Sequence, residues 1–250
     1  MTVWNIHFLN ARHALTGDMA QIRTTAREAV AQVGQLVTLP PFDLVIRAET
    51  GGGVPDRGVA GRASMPGLVE VTVSPGRFTE DHLTRVLVRE MHHLLRWEGP
   101  GYGRSLGEVL VSEGLAGHFV TQVLGGGPDP WDAARPTAGC LRQAGNLWAR
   151  RDFDFAEWFH GRGKIRKWTG YGIGHRLIAE HLAQEPGQDA ARLAWIPADM
   201  FRPALRRLLA ADGLEAEDEG MEEVADAAGP EAAVAPDEAG EPAPEGTGSI

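Results

Sequence analysis

Residues 88 to 97 read Val-Arg-Glu-Met-His-His-Leu-Leu-Arg-Trp and constrain the fold more than any other stretch of this chain. Glu90 and His93 stand in the relation required by the helical metal-site pattern H-E-x-x-H, with Arg89 at the position of the first histidine. On an α-helix, residues four apart project from one face, so two histidines at that spacing present their imidazole nitrogens to a single Zn2+. The glutamate beside the first histidine then reaches the metal-bound water and takes its proton. Here the pair four apart is Arg89 and His93. Arginine stays protonated and has no lone pair to donate, so Arg89 is no ligand.

A chain of 250 residues that is 43% hydrophobic can bury a sizeable core, as one domain or as two lobes around a cleft. Its one cysteine, Cys140, excludes an internal disulfide. The start lacks the basic-then-apolar pattern of a signal peptide, and no apolar run approaches the length of a membrane span. The expectation is a cytoplasmic protein without membrane or nucleic-acid partners. The net charge of −10 is not uniform. From Asp212 to Ile250 there are 13 acidic residues and no Lys or Arg, which leaves 24 basic against 21 acidic side chains in the preceding 211. That acidic stretch has no aromatic residue and is expected to be a disordered tail, with residues 212–250 contacting a basic partner, or the chain's own basic patch, or serving only as a solubilising appendage.

The remainder falls into two halves. In residues 1–78, strands are expected over 2–9, 44–47, 58–64 and 68–73, where Val69, Val71 and Val73 alternate with Glu70 and Thr72. A helix is expected over 18–37, and Gly51-Gly52-Gly53 signals a loop. From Thr79 the period becomes helical. Thr79 suits an N-cap, with Glu80 and Asp81 in the first turn of a helix running to about Trp97. Further helices are expected over 106–124, 138–150, 171–184 and 197–211, so the helical half spans 79–211.

The helix over 106–124 carries Glu113-Gly114-Leu115-Ala116, with Glu113 twenty positions after His93. His92-His93 followed by Arg96, this Glu-Gly-Leu-Ala segment, and the later Gly170-Tyr171-Gly172-Ile173-Gly174 together resemble a bacterial family of predicted Zn-dependent proteases. The resemblance spans roughly residues 42–207. It implies an α+β, zincin-like fold in which a small mixed sheet with one helix packs over the motif helix and a peptide or protein substrate lies along the sheet edge. It also implies Zn2+ as cofactor, His93 and Glu113 as metal ligands, and Glu90 as general acid/base. Arg89 is the departure from the family's pattern.

Each residue has a plainer reading beside this one. Glu90 alone would be a solvated helix carboxylate; its joint spacing with His93 and Glu113 favours a site origin. His92 lies about 100° round the helix from His93, placed to pack behind the site, although it is the nearest candidate for a substitute ligand. Tyr171 either stabilises an oxyanion through its hydroxyl or is an aromatic core residue among close-packed glycines. His82 shares the helix face of His93, but eleven residues at 1.5 Å rise put it about 16 Å away. Arg162, Lys164, Arg166 and Lys167 form a basic cluster next to Trp158 and Trp168, by default a solvated face.

Two functions follow. One is a metallopeptidase that recruits a substitute ligand. The other is a non-catalytic binding module in which the Arg89 guanidinium fills the metal position and pairs with Glu113 and Glu90, carboxylates that would otherwise face each other without their Zn2+.

Overall fold

The computed structural model describes residues 2–50 and 57–212. The Gly51-Gly52-Gly53 loop and the tail from Gly213 onward lie outside the described residues. The fold is α+β. Four strands, β1 (Trp4–Leu9), β2 (Phe42–Ala48), β3 (Val59–Met65) and β4 (Leu68–Val73), form one mixed sheet in the order β1-β2-β4-β3. β1 runs parallel to β2 and β2 parallel to β4, whereas β3 is an antiparallel edge strand.

The parallel pairing of β1 with β2 requires a crossover, which helix α1 (Met19–Val33) provides. β3 and β4 are joined at Pro66-Gly67, where Gly67 takes φ +74. Proline followed by a glycine of positive φ suits the two central positions of a tight turn. In β2, Phe42, Leu44 and Ile46 are buried, and in β4 Val69, Val71 and Val73. The register sets Leu44 beside Val69 and Ile46 beside Val71, so the buried residues line one face of the sheet. Each such side chain contributes about 1.5–3 kcal/mol when fully removed from water.

That face is covered by α1 and by the motif helix α2 (Glu80–Trp97). Thr79 caps α2 by accepting the His82 backbone N–H, with Glu80 and Asp81 in the first turn. Residues 87–96 of α2 are buried without a break, five polar residues among them. A helix lying on a protein surface buries one face. The full burial arises because α2 is central, covered by the sheet, by α3 (Leu106–Leu124) and by residues 190–196.

α3 opens with a capping box between Ser105 and Glu108. It joins a second apolar cluster with α4 (Ala138–Asn146), α5 (Phe155–His160), α6 (Thr169–Gln184), α7 (Ala190–Leu193), a 3-10 turn at Ala198–Phe201 and a helix over residues 202–212. The helix expected over 138–150 ends early. Its last residues leave the helical path so that the carbonyls of Trp148 and Arg150 accept the Gly107 and Leu106 N–H groups at the start of α3. The short helices α5 and α7 carry too few residues for a readable period. Asp212, the first residue of the expected tail, instead closes the last helix and accepts a bond from Arg176 at 3.0 Å.

Candidate functional site

Helices α2 and α3 meet where their buried polar residues face each other. Arg96 on α2 donates from Nε to Ser112 Oγ at 2.8 Å, and Ser112 donates to the Tyr102 carbonyl at 2.6 Å. Arg96 also reaches the Ala194 and Ile196 carbonyls, and His92 Nε2 donates to the Ala190 carbonyl at 3.1 Å. These bonds fix α2 against its surroundings and orient Glu113, the neighbour of Ser112, toward α2. Gly114 and Gly174 let α3 and α6 touch: a Cβ at Gly114 would lie 2.2 Å from the Gly174 carbonyl oxygen.

The resulting centre is built on Arg89. Its guanidinium donates to Glu113 Oε2 from Nε at 3.2 Å and from Nη2 at 3.0 Å, and to the Glu113 carbonyl at 3.2 Å. The other side of the fork meets Asp132, Nη1 to Oδ2 at 2.9 Å and Nη2 to Oδ1 at 3.1 Å. The rings of Tyr171 and Trp131 lie 5.3 and 5.7 Å from the guanidinium carbon, within cation–π range. Burial works against the Arg89 charge, and the two carboxylates outweigh it, raising the guanidinium above its usual range. Glu113 is pushed up by burial but held well below the usual carboxylate range by His93, by Arg89 and by a 2.5 Å bond from the Tyr102 hydroxyl.

The residues singled out in the sequence are therefore brought together unequally. His93 Nε2 stands 3.6 Å from Glu113 Oε1, an ion-pair distance beyond hydrogen-bond range, and its Nδ1 is buried with no hydrogen-bond partner among the described residues. Glu90 was expected to share the guanidinium. It turns instead toward β3, where Oε2 accepts the Ala63 N–H at 2.8 Å, and burial raises its carboxyl. Gly61 permits that approach, since a Cβ there would lie 2.6 Å from Glu90 Cγ. Asp132 holds the place expected of Glu90.

Tyr171 packs edge-on against Phe159 at 4.9 Å, and burial pushes its hydroxyl far above its usual range. His92 packs on Phe119, and burial together with His93 and Arg96 keeps it well below the usual imidazole range. His118 stacks on His175 of α6 at 4.0 Å. Of the basic cluster, Arg162, Lys164 and Arg166 are exposed, and Lys167 lies over the Trp168 ring at 4.5 Å.

Sequence reasoning missed Asp132, Trp131 and Tyr102. Trp131 and Asp132 sit in Pro128-Asp129-Pro130-Trp131-Asp132, just after the glycine stop of α3. A tryptophan between two aspartates in a connecting loop was the available signal, because loops carry function disproportionately.

This donor set does not fit a catalytic zinc. His93 and Glu113 supply two donors where three are needed, and a guanidinium stands between Glu113 and Asp132. Among the described residues, His93 Nδ1 also lacks the acceptor that normally orients a ligating imidazole. Among the described residues, no three His, Cys, Asp or Glu side chains are grouped to hold a metal ion.

No helix among the described residues is long and apolar enough to cross a membrane. No curated protein matches the chain. The family model described as "Predicted Zn-dependent protease (DUF2268)" matches residues 22–202, and since that is well over half of its length, the chain belongs to this predicted Zn-dependent protease family.

Proposed function

We propose that this chain is a non-catalytic member of its family, a zincin-like pseudoprotease domain that binds a peptide or protein segment. The observation that carries the reading is the Arg89 guanidinium, held by five hydrogen bonds between Glu113 and Asp132 where the motif spacing calls for the first metal-ligand histidine. A permanent cation there neutralises the carboxylates as a metal would, but it neither polarises a carbonyl as a Lewis acid nor generates a bound hydroxide. Glu90, the counterpart of the family's proton carrier, is engaged by the Ala63 N–H. The zincin-like part of the proposal draws on the sheet, whose antiparallel edge strand β3 lies against the motif helix through Glu90 and through the Trp97 Nε1 bond to the Ala63 carbonyl.

The active-metallopeptidase reading rests on the family description. It needs a substitute ligand, and the nearest candidate, His92, directs Nε2 to the Ala190 carbonyl. Elemental analysis of the purified full chain and of Arg89→His decides between the two. The expected result is no stoichiometric zinc in the native protein and uptake only by the variant. Near-stoichiometric zinc in the native protein would overturn the reading.

A further inference from the structure

The segment that follows α3 is fastened by three arginines, Arg57 and Arg85 at its outer part and Arg89, the centre itself, at Asp132. Asp129 accepts from Arg57 Nη1 at 2.9 Å and Arg85 Nε at 2.8 Å, and the Gly127 carbonyl accepts from Arg85 Nη2 at 3.2 Å. Arg85 and Arg89 are four apart on α2, so one helix face supplies two of the anchors. The Trp131 ring lies within cation–π range of two guanidinium groups, 5.0 Å from the guanidinium carbon of Arg57 and 5.7 Å from that of Arg89. Residues 127–132 form a strap, and what the strap delivers to the centre is a carboxylate.

That carboxylate is held in a two-pronged arrangement, Oδ2 on Nη1 and Oδ1 on Nη2, the forked geometry by which arginine recognises a free carboxylate. The Asp132 side chain is 0% exposed. Space for it exists because residue 117 is glycine: a Cβ there would lie 2.7 Å from Asp132 Oδ2. Glu113 and the Tyr171 ring, neither of them on the strap, fix the guanidinium from other directions. The receptor half of the arrangement therefore does not depend on the strap.

We propose that Arg89, backed by Glu113 and Tyr171, is a carboxylate-binding site, and that Asp132 is its intramolecular occupant. The strap and an external carboxylate, from an acidic side chain or a peptide C-terminus, exclude each other. The inference rests on the reading of Arg89 as the replacement for a metal and adds the ligand chemistry. A zinc ion would take water or a carbonyl oxygen at this position; a forked, permanent cation takes a carboxylate.

The test is rescue of the full chain carrying Asp132→Gly by sodium acetate, followed by thermal unfolding at constant ionic strength with chloride as control. The expected result is a saturable rise in melting temperature for Asp132→Gly, no such rise for the native chain, and none for Arg89→Met/Asp132→Gly. Equal responses to acetate and chloride in Asp132→Gly would overturn the proposal. Competition then identifies the source. Displacement of acetate by Ala-Ala-Ala points to peptide C-termini, displacement by an acetylated, amidated Ala-Glu-Ala points to acidic side chains, and displacement by neither overturns the assignment to a peptide or protein carboxylate. If Asp132→Gly does not fold, Asp132→Asn, which keeps the volume, is read by hydrogen exchange. Faster exchange of the amides at 127–134, with α2 and α3 unaffected, supports the proposal, and unchanged strap protection overturns it. A failed rescue in zinc-free protein removes this inference alone, whereas zinc in the native protein removes the pseudoprotease reading beneath it.

Discussion

Arg89→Met removes the cation while keeping a side chain of similar reach. The substitution strands two carboxylates whose side chains are 7% and 0% exposed, Glu113 and Asp132. Glu113 retains the Tyr102 hydroxyl and the nearby His93. Asp132 loses its only hydrogen-bond partner among the described residues. Breaking a buried pair from one side costs about 3–5 kcal/mol, because the remaining charge is buried without compensation. In a domain of this size each kcal/mol lowers the melting temperature by about 2–4 °C, so the expected drop at pH 7 is about 6–20 °C.

The deficit depends on pH. Burial already raises the Asp132 carboxyl, with Arg89 pulling the other way. Without Arg89 the folded-state value rises further above the unfolded one. A carboxyl raised on folding favours the native state only while protonated, so its contribution is complete at low pH and is lost as pH rises. The gap between Arg89→Met and the native chain should therefore narrow from pH 7 toward pH 4. Adding Glu113→Gln and Asp132→Asn should recover part of the stability, since the uncompensated charges are removed while buried amides remain. Calorimetry of the three proteins at both pH values tests the argument. A melting temperature within about 2 °C of native for Arg89→Met at pH 7 would refute it.

Two further outcomes are independent of the ion cluster. Gly114→Ala puts a Cβ 2.2 Å from the Gly174 carbonyl oxygen. It should cost at least the 1–3 kcal/mol typical of overpacking, and a urea midpoint equal to that of the native chain would mean that α3 and α6 are not in this contact. His175 is lowered to about 4 by burial, by His118 and by Arg89. A histidine depressed on folding stabilises the native state above its unfolded value of about 6.5, and that stability is lost as pH falls from there toward 4. The native chain should therefore lose stability more steeply than His175→Gln between pH 6.5 and 5 in parallel thermal melts, and superimposable slopes would exclude the effect.

Much of the scaffold was legible because its signals are local. The alternation of Val69, Val71 and Val73 marks β4, Thr79 with Glu80 and Asp81 marks the start of α2, and Gly125 ends α3 where the sequence expectation placed it. Where local signals competed with packing, packing decided. Residues 147–150 could continue a helix, but the free N–H groups at the start of α3 draw their carbonyls away. α2 has the length and cap of an ordinary surface helix, yet it is buried through ten consecutive residues because α3 and residues 190–196 cover what the sheet leaves open.

The same division runs through the site. Sequence by itself determined the kind of charge at position 89, a cation with no lone pair to give a metal, and the spacing that sets His93 and Glu113 on facing helices. The partner of that cation was decided by tertiary structure. Glu90, adjacent in sequence, is drawn off to the Ala63 N–H, while Asp132, 43 positions away, completes the fork. A charge is a property of one residue, whereas its compensation requires donors and acceptors from separate elements to converge within about 3 Å, and only the packed fold fixes that convergence.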